Sequence, residues 1–375
     1  MHSPTDYAGR LDRVRLAMAE ASVDVVLASV GGDLPWLIGY EAMNLPRLTM
    51  LVLPRDGQPT LFIPNLEVPR VVPRGDAFTI RGWAETEDPI DLVSAAIIGA
   101  DCIAVGDQTW ARNVIDLFNR LPGHPRFCRS TEVVGALRQA KEPAEVAALR
   151  TAAEAADRVA AQLHAGEIPL VGRTEAEVSA DISQRLLAEG HDHVNFAIVA
   201  AGENAASPHH EAGPRVIRRD EVVLCDFGGV YSLSEEEPGY CSDITRCVWT
   251  GEPPAEFAEL YAVLWEAQSA AVDAAVVGTP AEDVDRTARR IIGDGGYEGH
   301  FIHRTGHGIG LGAHEDPYIV EGNGVPLEAG HAFSIEPGIY IPGRWGARLE
   351  DIVVATDGGP DPLNRVEHGL VVVDA

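Results

Sequence analysis

A repeat in the second part of the chain restricts its fold more than any other feature. From Pro143 to Ala165 the apolar residues Val146, Leu149, Ala153, Ala156, Val159 and Leu163 recur at steps of three and four. That spacing puts them on one face of a long helix. Thr174-Glu175-Ala176-Glu177 follows as a capping box, opening a shorter helix with Val178, Ile182 and Leu186 on one side and Gly190 at its end. The same order returns 105 positions later, from Thr174 to Thr279. Ala255 to Val277 reads as a long helix, and Thr279-Pro280-Ala281-Glu282 as a second capping box with proline in the first helical position. Val284, Ala288 and Ile291 then mark a short helix that stops at Gly295-Gly296. Apolar strands come after each helix pair: Val194 to Ala200 and Val222 to Asp226, then His331 to Tyr340 and Glu350 to Val354. Two copies of helix, helix and strands predict a pseudo-twofold domain with a cleft shared by its halves.

The front of the chain is different. Arg10 to Ala21, Ile90 to Ile98 and Trp110 to Leu121 read as helices, and Val25 to Ala28, Thr49 to Leu53, Thr60 to Ile63 and Ile103 to Val105 as strands. Asp56, Gly57 and Pro59 make a hairpin turn between two of those strands. Helices alternating with strands predict an α/β domain. Pro122, Gly123 and Pro125 then interrupt the pattern. The expected organisation is an α/β (α+β) chain with an N-terminal domain over 1–130 and the pseudo-twofold domain over 131–375.

Charge narrows the partners. The 57 Asp and Glu against 29 Lys and Arg leave a net charge of −28, which argues against nucleic acid and anionic membrane surfaces. No apolar run reaches the ~18 residues of a membrane helix; the stretch Leu92 to Val105 is broken by Gly99 and Asp101. Cys102, Cys128, Cys225, Cys241 and Cys247 form no CxxC pair, and a sparse, odd set reads as reduced thiols. The N-terminus has neither a basic nor an apolar leader region. These features predict a cytoplasmic protein.

Five ionisable residues stand in apolar or Gly-rich strand contexts. They are Asp226 (Val-Val-Leu-Cys-Asp-Phe-Gly-Gly), Asp243 (Cys-Ser-Asp-Ile-Thr-Arg), His307 (His-Arg-Thr-Gly-His-Gly-Ile-Gly), Glu336 (Ser-Ile-Glu-Pro-Gly) and Glu350 (Arg-Leu-Glu-Asp-Ile-Val). One acid at a strand end is ordinarily a solvated edge. Four acids and an imidazole sunk together need a shared cation, because unpaired burial costs several kcal/mol each. An oxygen-rich set of this kind suits Mn²⁺, Co²⁺ or Fe²⁺, and two bridging carboxylates hold two ions about 3.5 Å apart. The pattern alone leaves open whether Glu350 or Asp351 faces the ions, since neighbours on a strand point to opposite faces.

The order Asp, Asp, His, Glu, Glu in these contexts resembles the pita-bread metallopeptidases: methionine aminopeptidase, aminopeptidase P and prolidase. With its front domain the whole chain resembles the prolidase, aminopeptidase P and creatinase branch. The resemblance implies an N-terminal creatinase/prolidase-like domain and a pita-bread catalytic domain. It selects Glu350 as the last ligand, because the family's last ligand follows Arg-Leu. It also implies that Asp226 serves one metal, His307 and Glu336 the other, and that Asp243 and Glu350 bridge. His209, His303, His314 and Arg348 match the family's active-site side chains, with Glu336 as the proton carrier. Thr245 has the placement of a hydroxyl that orients a ligand. His210, beside His209, has no match and reads as surface. In two places the chain departs from the family. The loop between Asp226 and Asp243 is extended by an acidic run, Leu233 to Pro238. Tyr318 follows His314-Glu315-Asp316-Pro317, where some prolidases carry the arginine that grips a dipeptide's carboxylate.

The implied activity is hydrolysis of Xaa-Pro bonds by two divalent cations, Mn²⁺ first and Co²⁺, Fe²⁺ or Zn²⁺ as acceptable substitutes. The substrate would be a short proline-containing peptide, and the enzyme an Xaa-Pro dipeptidase working as a homodimer. The alternatives are an Xaa-Pro aminopeptidase on longer peptides and a metal-dependent hydrolase of small non-peptide amides. Creatinase and the pita-bread binding modules lack the ligand set that this chain retains.

Overall fold

The computed structural model describes residues 5–75, 77–234 and 236–373. The chain divides into two compact units: Met1–Arg138 with Ser234–Pro238, and Gln139–Leu233 with Gly239–Ala375.

The first unit runs α1 (Tyr7–Ala21), β1 (Val25–Ala28), α2 (Asp33–Ile38), β2 (Met50–Pro54), β3 (Thr60–Pro64), β4 (Thr79–Trp83), α3 (Pro89–Ala96), β5 (Cys102–Val105), α4 (Ala111–Arg120) and β6 (Arg126–Arg129). Its six strands form one sheet in the order β4-β3-β2-β1-β5-β6. β1 and β5 pair in parallel and are buried along their whole length, as central parallel strands require. β2 and β3 form the expected antiparallel hairpin. The short helix α2 and the strands β4 and β6 lie outside the sequence expectation; β4 and β6 are edge strands with charged residues and little burial, so no apolar run marks them. The acidic run belongs to this unit. The Arg74 guanidinium donates to the Glu236 carbonyl at 2.6 Å and lies 4.4 Å from the centre of the Tyr7 ring, while the Tyr7 hydroxyl donates to the Glu237 carboxylate.

After α5 (Gly135–Gln139), the second unit has two halves. The first is α6 (Pro143–His164), α7 (Glu175–Ala188), β7 (His193–Ala201), β8 (Glu221–Tyr231), β9 (Tyr240–Cys241) and β10 (Ile244–Thr250). The second is α8 (Ala255–Ala274), α9 (Ala281–Ile292), β11 (Gly306–Gly308), β12 (Glu315–Ile319), β13 (Ala332–Ile335), β14 (Gly338–Ile341), β15 (Trp345–Arg348), β16 (Asp351–Thr356), β17 (Gly359–Pro362) and β18 (Val371–Val373). The sheets run β18-β10-β8-β7 and β12-β11-β13-β16-β17, with β14-β15 as a separate hairpin. Each helix pair covers its own sheet. Val159, Leu163, Val178 and Ile182 pack on Val199, Val223 and Val248; Leu260, Leu264, Val284 and Ala288 pack on Phe333 and Val353. These are the apolar stripes that defined the repeat.

Two local expectations need correction. Thr174 and Glu177 make the predicted reciprocal cap, but Thr279 and Glu282 do not. Pro280 takes the N-cap position of α9 without a side-chain bond. The Thr279 N–H instead donates to the Val276 carbonyl and the Glu282 N–H to that of Asn323, while the Glu282 carboxylate accepts from Gly322 N. The expected continuous strand from His331 to Tyr340 is broken between Ile335 and Gly338, where Pro337 has no N–H for a ladder. That break is what places Glu336 outside a regular strand.

Candidate metal centre

The two sheets meet at one isolated bridge, Thr245 to Glu350, and the predicted residues gather round it. Asp226 lies in the interior strand β8, opposite Thr245 on β10, and Asp243 directly precedes β10. His307 is the middle residue of β11, between two glycines that nothing larger can replace. A Cβ on Gly306 would lie 1.8 Å from the Ser334 carbonyl oxygen, and one on Gly308 2.2 Å from that of Asp316. The Gly-His-Gly sequence thus lets β11 fit between β12 and β13. Glu336 stands at the break after β13, and Glu350 between β15 and β16.

Donor atoms of these residues cluster in overlapping sets. Asp226, Asp243 and Glu350 bring oxygens within 4.8 Å of one another; so do His307, Glu336 and Glu350, and so do Asp243, His307 and His314. His307 Nε2 is 3.3 Å from Glu336 and 3.9 Å from Asp243. Its Nδ1 lies 3.1 Å from the Gly308 carbonyl; a proton donated there leaves the Nε2 lone pair facing the carboxylates. The Thr245 hydroxyl donates to Glu350 Oε2 at 2.6 Å and accepts from Arg348 Nε at 3.0 Å. Ser334 Oγ donates to Glu336 Oε1 at 3.1 Å.

A divalent cation fits this set. Asp226 Oδ1 and Asp243 Oδ1 are buried and unpartnered among the described residues, an expensive state unless a positive ligand satisfies them. Burial, then the neighbouring Glu350 and Asp226, raises the Asp243 carboxyl well above its usual range. Glu350 is raised likewise by burial and by Glu336. Burial pushes Glu336 up to about 7 against the pull of Arg348. Asp243, Glu336 and Glu350, raised in this way by burial and by neighbouring acids, make a site awaiting positive charge. The imidazoles are the converse. Burial and His314 depress His307 to about 3, so it presents a neutral ring suitable for ligation.

The remaining predicted residues line the same cavity of about 500 Å³: His209, His303, His314 and Arg348 all border it. The His314 ring lies 4.0 Å from that of His307, centre to centre, and is tilted to it by 52°. His303 is engaged at both nitrogens, with the Arg304 carbonyl at 2.8 Å and the Tyr340 hydroxyl at 2.8 Å. Arg348 reaches the same hydroxyl at 2.9 Å and also donates to Asp226. Tyr340 therefore links His303 to Arg348, a role the sequence reading missed. Only its place in the Ile-Glu-Pro-Gly-Ile-Tyr run after Glu336 hints at it. Arg304 also borders the cavity and was not singled out, although it lies between His303 and His307. His210 is not plain surface: its Nε2 is 2.8 Å from the fully buried Glu175.

A double-sheet domain carrying this donor set, in a chain that also has an α/β front unit, defines a metal-dependent peptidase. Residues 147–357 match metallopeptidase family M24 and residues 10–140 match the creatinase/prolidase N-terminal domain, and the chain belongs to that family. Over 371 residues it is 44% identical to the probable dipeptidase PepE of Mycobacterium tuberculosis, covering 98% of this chain and 96% of the relative. The crystal structure of dipeptidase PepE from Mycobacterium ulcerans superposes with a TM-score of 0.91 at 44% identity, covering 99% of this chain and 100% of that one. A recombinant prolidase from Thermococcus sibiricus superposes with a TM-score of 0.90 at 33% identity, covering 99% and 100%. The protein is thus a peptidase that works with divalent metal, and its fold is that of the prolidases.

Proposed function

We propose that this chain is a dinuclear Xaa-Pro dipeptidase. The observation that carries the dinuclear part is the sharing of donors: Glu350 belongs to both the Asp226–Asp243 set and the His307–Glu336 set. Asp226 would hold one ion, His307 and Glu336 the other, and Asp243 and Glu350 would bridge. The oxygen-rich donors favour Mn²⁺, with Co²⁺, Fe²⁺ and Zn²⁺ able to enter. For the substrate, support comes from the prolidase among the similar structures and from Phe196, Ile198 and Pro208 along the cavity. That apolar wall suits a pyrrolidine ring.

When bound, the two ions activate a water and polarise the scissile carbonyl. Glu336, which accepts from Ser334 Oγ, takes the proton of the attacking water and delivers it to the imino nitrogen of proline. His314 and His209 donate hydrogen bonds to the oxygen that gains charge; burial keeps the His314 ring neutral. Tyr340, tied to both Arg348 and His303, holds the wall beside Asp226. The expected setting is the cytoplasm, in keeping with five unbonded thiols, and the expected assembly a homodimer; among the described residues no helix is long and apolar enough to cross a membrane.

The test is hydrolysis of Ala-Pro, Met-Pro and Ala-Pro-Gly by chelator-stripped enzyme with and without Mn²⁺ or Co²⁺. Metal-dependent cleavage of the dipeptides supports the reading. Cleavage of the tripeptide alone makes the protein an aminopeptidase, and no cleavage by metal-loaded enzyme rejects Xaa-Pro peptides. Asp243→Ala should lose bound metal and turnover together while keeping its circular dichroism.

A further inference from the structure

Two guanidinium groups border the cavity, and they differ in what they have left to offer. Arg348 is 3% exposed and its nitrogens are committed. Nε donates to Thr245 Oγ1, Nη1 to the Tyr340 hydroxyl and the Pro208 carbonyl, and Nη2 to Asp226. Arg304 is half-buried and lies 4.2 Å over the ring of Tyr318. Among the described residues it has no ion pair and no side-chain hydrogen bond. An aromatic platform fixes the plane of a guanidinium and leaves its in-plane N–H donors free for a planar acceptor.

The surroundings say which acceptor needs it. The four carboxylates of the cavity wall would be taken up by the ions they hold, and a substrate anion that enters the cavity gives up water, so it needs a cation of its own to receive it. In a dipeptide the α-carboxylate is joined to the same Cα as the scissile nitrogen and must enter with it. In a longer peptide that place holds a neutral amide. Arg304 is the cation available: it stands one residue after His303 and three before His307.

We propose that Arg304, held flat on Tyr318, receives the α-carboxylate of the second residue of a dipeptide and thereby sets the preference for dipeptides over longer chains. The assignment rests on the dipeptidase reading above. It moves the anionic subsite from position 318, where the sequence lacks an arginine, to a guanidinium that reaches the same ring from position 304.

The experiment compares kcat/KM for Ala-Pro with that for Ala-Pro amide, and for Ala-Ala with Ala-Ala amide, in metal-loaded wild type, R304K and R304Q. Charged hydrogen bonds of this kind predict a preference for the free acid of about 10- to 100-fold in wild type. The preference should shrink in R304K and fall close to unity in R304Q, with bound metal unchanged by elemental analysis. A merely structural arginine would lower both substrates together and leave the ratio alone. An unchanged ratio in R304Q overturns the assignment while the dipeptidase reading stands. Cleavage of Ala-Ala but not Ala-Pro, with an Arg304-dependent ratio, rejects the Xaa-Pro reading and upholds Arg304. Wild type that shows no preference for the free acid, or that cuts no dipeptide, overturns the assignment outright.

Discussion

The hydroxyl of Thr245 serves two partners at once, donating to Glu350 and accepting from Arg348 Nε. It thereby orients a carboxylate donor from the second half with a side chain of the first. Thr245→Val keeps the shape and removes the bond. Groups that orient metal-binding side chains change affinity by about 10- to 100-fold, so Mn²⁺ titration calorimetry should show a loss of that order with circular dichroism unaltered. The candidate donors stood out because acids inside apolar strands are rare, but the choice of Glu350 over Asp351 came from the family resemblance alone. Tyr340 and Arg304 did not stand out, because a tyrosine in an apolar run and an arginine in a polar loop look ordinary. Their meaning lies in partners far along the chain: His303 for Tyr340, and Tyr318 for Arg304.

Among the elements, the turn and loop from Gly202 to Gly213 depend most on a single anchor. Glu175, in the first turn of α7, accepts from Ala201 N at 2.8 Å, Asn204 Nδ2 at 3.0 Å, Gly213 N at 3.5 Å and, when protonated there, His210 Nε2. This knot holds the segment that presents His209. Glu175→Ala leaves several buried donors unmet and should cost about 3 kcal/mol in urea unfolding, with faster amide exchange over 202–213. At the far end of α6, burial and then Arg246 hold the His164 imidazole down to about 4. The folded state therefore resists protonation that the unfolded chain accepts near pH 6.5. Above that pH the group contributes nothing; below it stability falls until about pH 4, by on the order of 2 kcal/mol once the ring's partial exposure is allowed for. His164→Leu should flatten the dependence of Tm on pH across that window. At this scale the long amphipathic helices were readable from periodicity alone. The second capping box was misread because the Glu282 N–H it needs donates to the Asn323 carbonyl and the Thr279 N–H to that of Val276; the pairing with Asn323 is one that no local pattern records.

For the whole molecule, charge is the governing term. A chain at −28 with four carboxylates converging on one cavity repels itself most at low ionic strength and without its ions. Chelator treatment in low salt should lower Tm by roughly 5 °C or more, with recovery on adding Mn²⁺; a Tm indifferent to chelation would contradict the fit of the site to metal. The two-halved architecture was visible in the repeat of helix pairs. The course of the sheets was not, since β18 at the chain's end pairs with β10 through long-range hydrogen bonds that leave no periodic trace.

The division of donors between the halves has one more consequence. Asp226 and Asp243 come from the first half, and His307, Glu336 and Glu350 from the second. Neither half holds a complete set. A cation seated there is therefore a cross-link between residues 64 to 124 positions apart, closing a long loop as a disulfide would. In a chain whose five thiols are all unbonded, the reactive centre is also its clasp.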